Sequence, residues 1–261
     1  RGERRSTSGD MVKNIFDFLV SFLGLLITAP ILAPVMIMIW LQDFHSPFYI
    51  ASRAGRGGKP FRMVKLRSMM VNADKSGVDS TSANDQRITV VGRNVRKFKL
   101  DEISQLWNVL LGDMSLVGPR PNVLSETDRY TPVERHLLDV KPGMTDISSI
   151  VFSDEGTILK DSSDPDLDYN RLIRPWKSEL GLLYIAHQSF ALDIALIMGT
   201  ALAVVSKPTA LKLIAIILKR LDASDELRRI ARREDTLTPS SPPGAKRPVI
   251  ADDLYGEKLL A

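Results

Sequence analysis

The longest apolar run lies near the start of the chain: from Phe18 to Leu41 there is no charged residue, which exceeds the ~20 residues a helix needs to cross a bilayer. Membrane contact follows. A secretory signal does not, because the run is too long and no small-residue cleavage site comes after it. Two features predict that the segment enters the bilayer and turns back. Pro30, with Pro34 one turn later, removes a backbone donor in mid-run, at about 3 kcal/mol for an interior proline. This places a break at Ala29 and Pro30, with Thr28 available to bond a freed carbonyl. Both flanks are also basic, Lys13 before the run and Arg53, Arg56, Lys59, Arg62, Lys65 and Arg67 after it, whereas a spanning helix carries positive bias on one side only. A proline-kinked transmembrane helix is the alternative.

Further along, Phe48-Tyr-Ile-Ala-Ser52 and Phe61-Arg-Met-Val-Lys-Leu66 read as two short strands around the turn Gly55-Arg-Gly-Gly58. The turn lacks the lysine and hydroxyl ending of a Walker A loop and opens no helix, so it is a turn and not a nucleotide cradle. Residues 72 to 86 form a polar surface loop. Between Leu100 and Gly112 the apolar residues Ile103, Leu106, Trp107, Leu110 and Leu111 recur at helical spacing, with Asp101 and Glu102 in the first turn and Gly112 as the cap. Met114 to Pro121 is a short apolar stretch ending in a stiff Pro-Arg-Pro loop, and Lys141-Pro-Gly-Met-Thr145 is a second rigid turn. Residues 182 to 205 and 211 to 233 suit amphipathic helices, lying at a membrane interface or packed on the rest of the chain. The proline-rich stretch beyond 236 reads as a disordered tail.

Composition changes this picture little. With 44% hydrophobic residues in 261, the chain can bury a core; without cysteine there is no disulfide, thiolate metal site or thiol nucleophile. The net charge of +4 is too mild to demand nucleic acid. The basic cluster after the apolar run fits either anionic lipid or a solvated hairpin.

Asp101 and Glu102 at a helix start need mean no more than favourable contact with the helix dipole. Their surroundings say more. Lys65, Arg67, Arg96 and Arg120 stand in strand, helix or proline-flanked settings that hold a cation in place. Phosphoryl transfer needs cations for the non-bridging oxygens, a carboxylate-held divalent metal and an in-line nucleophile. A carboxylate can also attack phosphorus itself. Spacing does not choose between nucleophile and metal ligand.

Lys65-Leu-Arg-Ser-Met69, the block Leu100-Asp-Glu-Ile-Ser-Gln-Leu-Trp-Asn-Val-Leu-Leu-Gly-Asp-Met-Ser-Leu-Val-Gly-Pro-Arg-Pro121 and Lys141-Pro-Gly-Met-Thr145 closely resemble the bacterial sugar transferases called monotopic phosphoglycosyl transferases. The resemblance runs from about Lys13 to about Val205 and includes the proline-broken membrane hairpin at Ala29-Pro30. It implies a ping-pong reaction in which an aspartate attacks the sugar-linked phosphate of a UDP-sugar, UMP leaves, and undecaprenyl phosphate takes the phosphosugar. By position, Asp101 would be the nucleophile and Glu102 a Mg2+ ligand, with Asp101 near the same metal. Arg120 would bind phosphate, and Lys65, Arg67, Arg96 and Lys141 would line the substrate site. The enzyme would sit on the cytoplasmic face of the bacterial inner membrane among membrane lipids, as a monomer or a homo-oligomer. Ala51, Lys99, Asp146 and the stretch from Ile147 to Glu155 depart from the usual pattern and leave the sugar open.

The expected architecture is an α/β (α+β-like), mostly helical fold. It divides into a flank (1–12), a re-entrant membrane hairpin (13–45), a small catalytic domain (46–205), amphipathic helices (206–236) and the tail (237–261). A non-catalytic membrane scaffold, and direct metal-assisted attack by the lipid phosphate, are the competing readings.

Overall fold

The computed structural model describes residues 8–73 and 85–255, so most of the predicted polar loop, 74–84, lies outside the described residues. The chain opens with α1, Ser8–Asp43, which holds Pro30 and Pro34 inside it. The expected split at Ala29 and Pro30 is absent: one helix runs through both prolines. Thr28 donates to the Gly24 carbonyl (2.6 Å), the ordinary back-bond to residue i−4, and not to the Leu26 carbonyl that Pro30 leaves without its donor. Among the described residues this helix is the one long and apolar enough to cross a membrane.

One face of α1 is packed along the rest of the protein. Lys13 reaches the Val117 carbonyl (3.1 Å) and Asp193, and Asp17 accepts from the Leu116 amide (3.2 Å). Leu32, Val35 and Ile39 pack with Leu66 and Val95 in a small second core. At the far end Asp43 pairs with Arg67. The other face, including Phe18, Phe22, Leu26, Ile27 and Ile31, is exposed and apolar.

The hairpin is as expected: β1, Phe48–Ala54, pairs antiparallel with β2, Pro60–Leu66. Then come α2 (Val90–Lys97), α3 (Leu100–Ile103) and α4 (Leu106–Leu110). The single helix expected over 100–112 is thus two pieces. Between them the backbone stays right-handed but tightens, with Gln105 N donating to Glu102 O and Asn108 N to Gln105 O. Gly112 closes the segment with φ +84. Strand β3 (Ser115–Val117) pairs in parallel with β4 (Gly143–Thr145); α5 (Leu124–Thr127) and a 3-10 stretch, Glu134–Asp139, lie between them. Short helices α6 (Ile147–Val151), α7 (Glu155–Ile158) and α8 (Pro165–Asp168) lead through a π turn, Tyr169–Ile173, into α9 (Arg174–Ala186), α10 (Phe190–Val205), α11 (Lys207–Arg220), α12 (Asp225–Arg232) and α13 (Ala251–Tyr255).

The main core joins Met114, Val117, Ile147, Ile150, Leu180 and Tyr184 to Leu196, Ile214 and Leu218. It therefore does not stop at Val205, because α11 and α12 bury their apolar faces in it. Nor is the described part of the tail loose. Thr131 donates to the Pro243 carbonyl, Ser240 N donates to Arg171 O (2.9 Å), and Tyr255 donates to Asp164 (2.9 Å).

Candidate active site

The free edge of β2 decides where Asp101 and Glu102 stand. An edge strand has alternating amides and carbonyls that need partners, and two side chains four residues apart on the α3–α4 segment supply them. The Val64 amide donates to Asn108 Oδ1 (2.8 Å), Asn108 Nδ2 donates to the Arg62 carbonyl (2.7 Å), and the Leu66 amide donates to Ser104 Oγ (3.0 Å). Both side chains are buried. They act as the next strand would, and Lys65 lies between their contacts, with its ammonium in the field of Asp101 and Glu102.

The Pro-Arg-Pro loop arrives from the other side on the parallel pair β3–β4. Gly118 N donates to Thr145 O (2.9 Å) and Gly143 N to Pro119 O (2.9 Å). The strands come so close that a Cβ on Gly143 would stand 2.0 Å from the Gly118 nitrogen, so only glycine fits. The loop puts Arg120 Nη2 3.4 Å from Glu102 Oε1. Lys99 Nζ stands 3.6 Å from the same oxygen, on a backbone with φ +56, the left-handed region that a lysine rarely occupies.

Asp101 and Glu102 are adjacent yet tuned apart. Burial raises the Asp101 carboxyl above the usual range, against the pull of Lys65, Arg96 and Lys99, and the Glu102 charge adds to the rise. Its Oδ1 is buried with no hydrogen-bond partner among the described residues. Burial also pushes Glu102 up, but Arg120, Lys99 and Lys65 together outweigh it and hold Glu102 below its usual value. Arg120 is raised by Glu102. Lys65 is brought down to about 8, chiefly by burial and then by Arg120, with Asp101 and Glu102 opposing. Environment alone thus sets the two neighbouring carboxyls apart in basicity.

Of the predicted site residues, Asp101, Glu102, Lys65, Arg96 and Arg120 are brought together. Two are not. Arg67 follows β2 and is spent on α1: it donates to Ser46 O (2.8 Å) and forks onto Asp43, tying the strand to the end of the membrane helix. Lys141 turns toward the start of α1, where it donates to Asn14 (3.1 Å) near Asp17 and Asp113. Lys99, read in the sequence only as a departure, belongs to the site. So do Asp146 and Glu155, whose charges reach Arg120; Glu155 pairs with Lys177. Like Lys99, they stood in the sequence only as departures from the usual pattern.

No group of three or more metal-ligating side chains converges among the described residues. Magnesium often takes one or two carboxylates and draws its other ligands from phosphate and water. The unpartnered Asp101 oxygen beside Glu102 fits that pattern.

An acidic pair of unequal basicity, set among cations beside a long apolar helix, makes the candidate site. Residues 8–207 match the model of the bacterial sugar transferase family, and the chain belongs to that family. Relatives include the undecaprenyl-phosphate galactose phosphotransferase of Salmonella typhimurium, 34% identical over 221 residues, covering 78% of this chain and 42% of that one. The UDP-N-acetylgalactosamine-undecaprenyl-phosphate N-acetylgalactosaminephosphotransferase of Aeromonas hydrophila is 30% identical over 192 residues, covering 72% and 42%. The UDP-glucose:undecaprenyl-phosphate glucose-1-phosphate transferase of Caulobacter vibrioides is 33% identical over 175 residues, covering 64% and 66%. The chain thus spans less than two thirds of the length of these relatives.

Proposed function

We propose that this protein transfers a sugar 1-phosphate from a UDP-sugar to undecaprenyl phosphate at the cytoplasmic face of the bacterial inner membrane, as an opening membrane step of surface-glycan synthesis. The observation that carries the reading is the half-buried Asp101 carboxylate, with one buried oxygen that has no hydrogen-bond partner among the described residues and raised basicity, in the field of Lys65 and next to the Glu102–Arg120 pair.

In the first step an Asp101 oxygen attacks the sugar-linked phosphorus of the donor. The bond from that phosphorus to the bridging oxygen breaks, and UMP departs with the electron pair. Arg120 and Lys65 hold the non-bridging oxygens as charge builds on the leaving side. In the second step a phosphate oxygen of undecaprenyl phosphate attacks the same phosphorus, the acyl-phosphate bond breaks, and the Asp101 carboxylate is restored as undecaprenyl-diphosphate-sugar leaves. Burial serves this chemistry because a poorly hydrated carboxylate is a better nucleophile. Glu102, with Asp101, would hold Mg2+, which supplies charge neutralisation at the diphosphate.

The placement of α1 supports access for a lipid acceptor. Lys13 and Asp43 are 30 residues apart, about 45 Å along a straight helix, and both are held by the same folded body. Ends so tethered favour a helix whose exposed apolar face enters one leaflet over one that carries its ends to opposite sides.

The test is UMP release from UDP-sugars by wild type and Asp101→Asn. Release by wild type alone, with Asp101→Asn folded and membrane-bound, is expected. Equal release by both would sink the assignment, and no release by either would favour a scaffold.

A further inference from the structure

Beside Arg120 a cavity opens between the Gly55 turn, the 3-10 stretch Glu134–Asp139 and α9. Its free volume is about 40 Å³. One water needs roughly 10–15 Å³ on this measure, so the space takes a group of a few heavy atoms. The rings of Tyr130 and Tyr169, both on the wall, each carry a cation over one face, Arg174 and Lys177 (5.5 and 5.3 Å to the ring centres).

The lining is mixed. Leu137, Leu138 and Val140 give an apolar side, while Asn122, Ser148 and Ser178 bring polar heads. Of the cations on the wall, Arg174 and Lys177 are not free to hold an anion, while Arg120 is turned to Glu102. Arg174 is locked bidentately to the buried Glu134 (3.0 and 2.6 Å), and Lys177 is paired with Glu155. What fits is neutral and dipolar, with one apolar end.

Building on the sugar 1-phosphate reading above, we infer that this cavity receives the N-acyl group of the donor sugar, making the preferred donor a UDP-N-acetylhexosamine. Arg120 lies on the cavity wall and also touches Glu102. A phosphate held on Arg120 therefore places the donor beside the cavity, and the sugar is the part assigned to it. The methyl of an acetamido group packs on Leu137, Leu138 and Val140, and its amide meets the polar heads. A ring hydroxyl in its place leaves the apolar wall unfilled.

The experiment is a comparison of kcat/KM, read as UMP release with undecaprenyl phosphate present, for UDP-GlcNAc, UDP-GalNAc, UDP-glucose, UDP-galactose and UDP-glucuronate. Wild type is expected to prefer an N-acetylated donor over its hydroxyl counterpart by about tenfold or more, the scale at which a small group in a fitted pocket is discriminated. Val140→Phe, or Leu138→Phe should the first fail to fold, fills the space. Either is expected to bring that ratio close to one, with turnover of the hydroxyl sugar retained and inhibition by UMP unchanged. A wild type that prefers the hydroxyl sugars or the uronate overturns the inference, as does a preference that survives the filled cavity. Weakened UMP inhibition in the filled variants would assign the space to the nucleoside instead. Failure with all five donors would refute the transfer reading itself, a result distinct from turnover without N-acetyl preference.

Discussion

Lys65 is the group through which the electrostatics of this site are most open to measurement. Burial and Arg120 bring its ammonium down to about 8 from 10.5. The charged form is the one that binds phosphate oxygens, so the productive state is present below that value and lost above it. Between pH 7 and pH 9 the charged fraction falls about tenfold, and kcat/KM for the donor is expected to fall by the same factor. The carboxylate of Asp101 limits the other side. Its value is raised, so activity is lost on acidification at a pH above the usual carboxylate range. Lys65→Arg separates this cause from others: a guanidinium stays charged throughout, so the alkaline limb is expected to vanish even where the reduced fit lowers the plateau. The assay is UMP release at subsaturating donor from pH 5 to 10. A flat wild-type profile through pH 9.5, or an unchanged alkaline limb in Lys65→Arg, would refute the reasoning.

Other outcomes follow from the supports of the site. Asn108→Ala leaves the Val64 amide and the Arg62 carbonyl without their partner, at about 1–3 kcal/mol for two part-buried backbone groups, read as a lower midpoint in thermal unfolding in detergent. Gly143→Ala forces β3 and β4 apart; a loop displaced by about 1 Å costs on the order of 100-fold in rate, so kcat should drop while membrane binding is kept. Arg67→Ala is expected to destabilise the protein by about 2–3 kcal/mol without raising the donor KM, whereas Lys65→Ala should raise KM with little loss of stability. The reverse pattern would return Arg67 to the site.

Much of this was legible in the sequence. Alternation and a glycine turn marked the β1–β2 hairpin, and the charge-free run marked α1. The dense block from Leu100 to Pro121 held both carboxyls and Arg120 within reach of one another. What sequence could not supply were contacts set by tertiary placement. Lys65 and Arg67 share a strand periodicity and read as equivalent, but β2 ends between them and the end of α1 captures Arg67. The lysine of the Lys-Pro-Gly turn was expected at the substrate, yet its side chain donates to Asn14 near the start of α1. Interior prolines predicted a broken helix. Packing of Leu32, Val35 and Ile39 on the small second core accompanies a helix that runs through both. The tail looked too polar to fold, but single hydrogen bonds from Thr131, Ser240 and Tyr255 place it on the surface.

The central claim is covalent catalysis by Asp101, and intact-protein mass spectrometry tests it most directly. Wild type and Asp101→Asn are mixed with Mg2+ and UDP-sugars in the absence of lipid acceptor. The account predicts a mass increase of one sugar phosphate in wild type alone, matched by one UMP released per protein. No adduct without acceptor, together with UMP release once undecaprenyl phosphate is added, would contradict it and establish direct transfer to the lipid.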